Sequence, residues 1–315
     1  MTSFAELKPG QAQFLSSFQP SLVPGDYKVT VKQDVVSPDG NESKPLGTEK
    51  KFTVEGPSQY QLPAGSIDSI YPREGESVPS KVLAQITLSD PHIPWELSPD
   101  NDSNIANKHL NGSLIPWLAL LVFTEDETKT FPTVGEQPTP SPTLSLWLSK
   151  KQLRELKSSS TQVPLSNQDL DDNPHTGVNT VVVDSSAFRT YFSRQMGHEE
   201  TEPAIARYSY LSHIRRSRST KAQDSSTDTF SITLGHRSGP LEVEAAVAAY
   251  VHLVSLMGVS DLIVPGQSDP TALVSLYSWS FTWTKGNDAD VKDVIKTLSK
   301  NVRPLARIAE PSTDQ

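Results

Sequence analysis

The stretch Leu114-Ile115-Pro116-Trp117-Leu118-Ala119-Leu120-Leu121-Val122-Phe123, closed by Thr124-Glu125-Asp126-Glu127, decides the fold. Ten residues without a charge are too short to span a bilayer and match a strand buried on both faces. Proline cannot donate to a strand ladder, so Pro116 sets the start of the strand there or just after. The consecutive acids Glu125, Asp126 and Glu127 return the chain to water. This segment is expected at the middle of a sheet.

Its expected neighbours are read from alternation. Lys81 to Leu88 places Val82, Ala84, Ile86 and Leu88 on one face, and Leu273 to Thr284 places Tyr277, Trp279, Phe281 and Trp283 on another. Val243 to Leu256 begins alanine-rich, as a helix would, but Tyr250 to Leu256 ends in β-formers, which favours a strand for the second half. Ile205 to Ile214 reads as a strand, and Phe230 to Leu234 as its return arm across a polar tongue from Arg215 to Thr229. Val178 to Val183 is a further short strand.

Helices are fewer. Thr143 to Leu156 has Leu146, Leu153 and Leu156, with Trp147 and Leu148, near helical spacing, opposite Lys150, Lys151, Arg154 and Lys157. Asp184-Ser185-Ser186 offers an N-cap for a helix carrying Phe188, Tyr191 and Phe192, with Gly197 as its stop. Asp288 to Val302 reads as a closing amphipathic helix. Towards the N-terminus, Gly25-Asp26 opens an alternation of Tyr27, Val29 and Val31 against Lys28, Thr30 and Lys32, resumed at Phe52-Thr53-Val54. So short a hairpin unit is barely stable alone, which predicts a small sandwich or docking on the rest of the chain.

The expected fold class is therefore α+β, mainly antiparallel β-sheet with a few helices, plus a small N-terminal β module of Ig-like or sandwich type. The predicted domains are residues 1–62 for that module, a Pro-rich connector over 63–80, a mixed main domain over 81–305 and a flexible tail over 306–315. At 315 residues, with 25 prolines and 35% hydrophobic residues, the chain can bury a real core but spends much of its length in loops.

A net charge of −9 argues against general affinity for nucleic acid or anionic membrane. With no cysteine, disulfides, thiolate metal sites and cysteine nucleophiles are excluded. Met1 to Pro9 lacks a basic region followed by an apolar run, so the expected location is cytoplasmic, or outside the cell by a route without a classical signal peptide.

Candidate chemistry is sparse. Asp90, His92 and Glu96 form the densest cluster: His and Glu four residues apart share a proton or a metal on a helix. Pro91 and Pro94 disfavour that helix, and the alternative is a rigid corner with Trp95 plugged into the core. His252 lies in an apolar run and reads as a core histidine. No G-x-S-x-G, G-x-G-x-x-G or P-loop motif occurs, so neither a hydrolase elbow nor a nucleotide cofactor is supported; no cofactor and no metal are expected. Arg215, Arg216, Arg218 and Lys221 form the one dense basic run, either a solvated tongue or a grip on an acidic partner. Trp279 and Trp283 share a face, which is a stacking platform for a ligand if exposed and core if buried.

Gly25-Asp26-Tyr27-Lys28-Val29-Thr30-Val31, Phe52-Thr53-Val54-Glu55-Gly56-Pro57, Pro91-His92-Ile93-Pro94-Trp95-Glu96, Pro116 to Phe123 and Val251-His252-Leu253-Val254-Ser255-Leu256 resemble, in that order, an uncharacterised family of predicted proteins in bacteria and fungi. The resemblance spans most of the chain and implies no activity, cofactor or site residue.

Missing catalytic motifs, a β module and a charged tongue point to a non-catalytic structural or binding protein that joins a larger assembly through a protein partner or self-association. A component of a phage-tail-like particle is one form of that expectation. The alternatives are a hydrolase-type enzyme with its site at His92 and Glu96, and a carbohydrate-binding protein using Trp279 and Trp283.

Overall fold

A computed structural model describes residues 6–18, 22, 25–36, 43–54, 56–99, 114–132, 143–196, 200–219, 227–264, 266 and 268–285. The elements in chain order begin with β1 (Ala12–Leu15), β2 (Gly25–Val36), β3 (Ser43–Val54), β4 (Ile67–Tyr71), β5 (Ser77–Pro79), β6 (Gln85–Leu88) and β7 (Leu118–Thr124). They continue with α1 (Glu125–Thr128), β8 (Leu146–Ser149), α2 (Lys150–Ser158), α3 (Asn167–Asp171), β9 (Gly177–Val183) and α4 (Ser185–Phe192). The last are β10 (Ser193–Met196), β11 (Glu200–Pro203), β12 (Ser212–Arg218), β13 (Thr227–Leu234), β14 (Val247–Ser255) and β15 (Thr271–Thr284). The protein is an α+β structure dominated by antiparallel sheet; of the described strand pairs, β5 with β15 is parallel.

Two sheets carry the core. One has the order β1-β12-β13-β6-β4, the other β7-β14-β15-β9-β8 with β5 added at the end of β15. All of β7 is buried except Thr124. Leu118, Leu120 and Val122 point at Ile86 and Leu88 of the first sheet and share a cluster with Trp279, Phe281 and Trp283. Ala119, Leu121 and Phe123 point the other way, at Phe188, Tyr191 and Phe192 of α4 and at Tyr208. Burial on both faces explains why the segment has no polar alternation.

The expectation of a central strand needs correction. β7 pairs with β14 alone, β15 lies one strand further, and β6 belongs to the facing sheet. Its outer edge is nevertheless closed. After β13 the chain switches sheets and runs beside β7, with a parallel bridge between Gly235 and Leu120. His236 N–H donates to Leu120 O at 3.1 Å, and Val122 N–H donates to His236 Nδ1 at 3.3 Å. Arg237 Nε donates to Val122 O at 3.1 Å, while Thr124 N–H donates to Glu127 Oε2 at 2.8 Å within a capping box. Arg237 also forks onto the Glu127 carboxylate through both terminal nitrogens. A Cβ on Gly235 would meet Val122 Cγ2 at 3.1 Å, so the close approach uses glycine.

Other expectations change locally. Gln85 is where the strand read from Lys81 begins. Ile205–Tyr210 is a 3-10 turn rather than a strand, burying Ile205 and Tyr208 at threefold spacing. Thr143 to Leu156 splits into β8 and α2, because Ser149 and Gln152 form a capping box that starts the helix only at Lys150. The helix from Ser185 ends at Phe192, before Gly197.

The domain reading is also revised. β1 pairs with β12, β4 with β6 and β5 with β15, so both the N-terminal residues and the presumed connector are built into the two main sheets. The Ig-like or sandwich-type module is a two-stranded ribbon, β2 with β3, because the first strand of the chain is taken by the main sheet. The expected helix over 288–302 and the tail over 306–315 lie outside the described residues.

Replacing Arg237 by Ala removes the Val122 carbonyl's donor and the partner of a half-buried carboxylate. The expected loss is about 2 kcal/mol in urea unfolding, against less than about 0.5 kcal/mol for Arg215→Ala on the exposed face of β12. Equal losses for the two variants would refute the edge-closing role.

Candidate functional site

The corner from Asp90 to Glu96 sits beside the Pro116 end of β7. Its backbone makes a 3-10 turn over Ile93–Trp95, with both prolines compatible with that turn and Ile93, Pro94 and Trp95 buried. Trp117 N–H donates to Pro94 O at 2.9 Å and its indole Nε1–H to Ile93 O at 2.6 Å. Trp95 Nε1–H reaches back to Leu114 O at 3.3 Å. Two indoles thus lock the corner onto the start of the core strand.

The polar side chains of the corner are arranged for this turn. Asp90 Oδ1 accepts from His92 N–H at 2.9 Å and lies 2.8 Å from His92 Nδ1, the geometry of an Asx turn. The His92 ring stacks on Phe18, with centroids 4.4 Å apart. Glu96 has its carboxyl pushed above the usual range, first by burial and then by the Asp90 charge, against a smaller opposing pull from His92. The structure therefore brings Asp90 and His92 together, with Glu96 within electrostatic reach. Of the His92 ring's contacts, the bond from Nδ1 to Asp90 lies within the turn and the stack on Phe18 ties it to the N-terminal segment. Among the described residues, no group of three or more His, Asp or Glu side chains is placed to hold a metal ion.

The other candidates are redistributed by burial. Trp279 and Trp283 are fully buried in the core between the sheets, which overturns the stacking platform; Gly239 lies so close that a Cβ there would come within 2.6 Å of the Trp283 ring. Arg216 donates to Gln13 Oε1 at 2.9 Å, and Arg218 to Leu7 O at 2.7 Å and Glu6 Oε1 at 3.1 Å. The segment carrying β1 thus occupies two of the three arginines expected to grip a partner, because it adds to the open edge of β12. Arg215 is exposed, and Lys221 lies outside the described residues. No described helix is long and apolar enough to cross a membrane.

The surface that sequence reading took for a half-buried strand is the ribbon. Tyr27, Val29 and Val31 of β2 lie on one face, in register with Phe52, Lys50 and Thr48 of β3, and the Tyr27 and Phe52 rings stack at 5.4 Å. The opposite face carries exposed polar pairs, Lys28 with Glu49 at 2.7 Å and Thr53 Oγ1 with Asp26 Oδ1 at 2.7 Å. Val29, Val31 and Phe52 remain 49%, 55% and 42% exposed. Comparison with protein-family models, with curated proteins and with solved structures returns no match.

Two histidines are buried neutral. His252 is wholly enclosed, with Nδ1 2.9 Å from Ser275 Oγ, and burial pulls its pKa down to about 4. His236 is lowered to about 4 as well, chiefly by burial and then by the Arg237 charge. Above pH 6.5 both states of the chain hold these rings neutral. Below it the unfolded chain binds protons that the folded chain refuses until about pH 4, so stability falls as pH drops through that window, by about 1.4 kcal/mol per pH unit per ring. Glu127 acts lower: the Arg237 and Thr124 bonds outweigh its burial and hold its pKa below 4.5, so its share is lost only beneath that. Urea midpoints at pH 7 and pH 5 check this, and His252→Gln should roughly halve the drop; a flat profile would contradict it.

Proposed function

We propose that the protein is a non-catalytic component of a protein assembly, joined to its partner through the β2–β3 ribbon. The observation that carries this reading is the exposed stripe of Val29, Val31 and Phe52 on a ribbon whose other face carries its own polar pairs. A two-stranded hairpin is at best marginally stable in water, and an apolar stripe on it gains most by being covered. Apart from pairing with each other, β2 and β3 make no substantial contact with any other described element. Among the described residues, Val29, Val31 and Phe52 are left for a neighbour to cover.

The corner at Asp90 and His92 supports the same reading from the other side, since Asp90 Oδ1 and His92 Nδ1 bond within the turn. Val29, Val31 and Phe52 fit a contact of modest area per arm, multiplied by repetition in an assembly.

Light scattering after size exclusion, with a pull-down from native lysate, tests the reading. The native protein is expected as an oligomer or with a retained partner, and the triple variant Val29→Lys, Val31→Lys, Phe52→Lys as a monomer that retains nothing, with unchanged urea unfolding of the main sheets. A native protein that stays monomeric and retains nothing, or a triple variant that assembles like the native chain, overturns it.

A further inference from the structure

A cleft of about 290 Å³ lies between β8, β9 and β15 and the segment from Tyr60 to Ile67. Trp147 belongs to its lining and is 65% exposed, whereas Trp95, Trp117, Trp279 and Trp283 are buried. Sequence periodicity put Trp147 on a helix face; β8 instead turns it outward, with Leu148 beneath in the core.

The indole is held in place. It folds over Gly177, where a Cβ would come within 2.2 Å of Trp147 Cε2 and Cζ2, so only glycine leaves room for it. Across the strand pair it stands opposite Asn179. Tyr60 is fixed as well: Lys150 Nζ sits 4.2 Å from its ring centroid while donating to Asp172 O at 3.0 Å, and Gln59 Nε2 donates to its hydroxyl at 3.0 Å. Burial, and then the Asp169 charge, push the Tyr60 phenol up, so it stays protonated. Tyr277 supplies a third ring.

None of the twelve lining residues carries a charge; three are aromatic, and Gln61, Ser66 and Asn179 offer amide and hydroxyl groups. An exposed, immobilised aromatic face beside uncharged donors and acceptors matches a ring with one apolar face and a polar rim. We propose that this cleft binds a neutral sugar, one pyranose ring stacked on Trp147 with its hydroxyls bonded to Asn179 and Gln61. Anionic sugars and nucleotides find no cation in the lining, and the volume suits one ring rather than an extended polymer. The site is separate from the ribbon, so it stands or falls independently of the assembly reading.

The test is a titration of indole emission with the methyl glycosides of glucose, galactose, mannose and N-acetylglucosamine, alongside an array of neutral glycans. One exposed indole among five makes the signal report on Trp147. At least one glycoside is expected to saturate a shift in emission, and Trp147→Ala, followed by titration calorimetry because it lacks the reporting indole, should weaken its binding roughly tenfold with unchanged urea unfolding. Gly177→Ala, which displaces the indole while keeping it, should weaken binding as well. Silence across glycosides and array, binding that survives Trp147→Ala, or tighter binding of uronic acids or of a Pro-rich peptide would each overturn the assignment.

Discussion

A strand sunk in the core must still bond every backbone N–H and C=O, and in this protein that requirement falls hardest on β7. Its inner edge pairs with β14 in the ordinary way. Its outer edge has no partner strand, yet Leu120, Val122 and Thr124 all find partners in His236, Arg237 and Glu127. An unpaired buried amide costs about 1–3 kcal/mol, so an edge left open over several residues would outweigh a sizeable fraction of the marginal stability of a domain. Closing the edge with one backbone bridge and side chains, rather than with another full strand, also removes it as a template for edge-to-edge pairing.

The same constraint explains the company that β7 keeps. Bonding to Val122 N–H through Nδ1 places the His236 proton on Nε2, and the ring must remain neutral to accept that bond at all. Arg237 is held by Glu127, whose own orientation comes from the capping box at the end of the strand. The Tyr191 ring closes over His236 from α4, with its phenol pushed up to about 12 by burial and then by Glu127. A cluster of His, Arg, Glu and Tyr thus resembles a catalytic constellation in composition, while His236 Nδ1, Arg237 Nε and Glu127 Oε2 are bonded to the strand edge and His236 Nε2 is buried without a partner among the described residues.

Much of the architecture was legible in particular residues. The uncharged run to Phe123, the alternation through Trp283 and the cap at Asp184 each mark an element that exists, since local period and capping chemistry act within a few residues. The ribbon was legible as paired strands, but not as bare ones: alternation records that a face is apolar, and says nothing of what covers it. Trp279 and Trp147 show the same limit in opposite directions, one a suspected platform that is buried, the other a supposed helix residue that is exposed. Ser149 and Gln152 carried the correction for Trp147 in their capping-box spacing. Nothing near His236 or Arg237 in the chain announces that Leu120, over a hundred residues earlier, depends on them.

The way the sheets are completed also has a bearing on when the protein can become ordered. β1 waits for β12, as Phe14 pairs with Arg215, and β5 waits for the far end of β15, as Val78 pairs with Trp283. Such early segments therefore emerge from the ribosome without the partners that will hold them, whereas the β2–β3 ribbon and the β4–β6 pair have their complements close at hand. Such remote closures make folding slow and concentrate it near the end of synthesis. During that interval the apolar run from Leu114 to Phe123 awaits β14, its partner more than a hundred residues later, without cover.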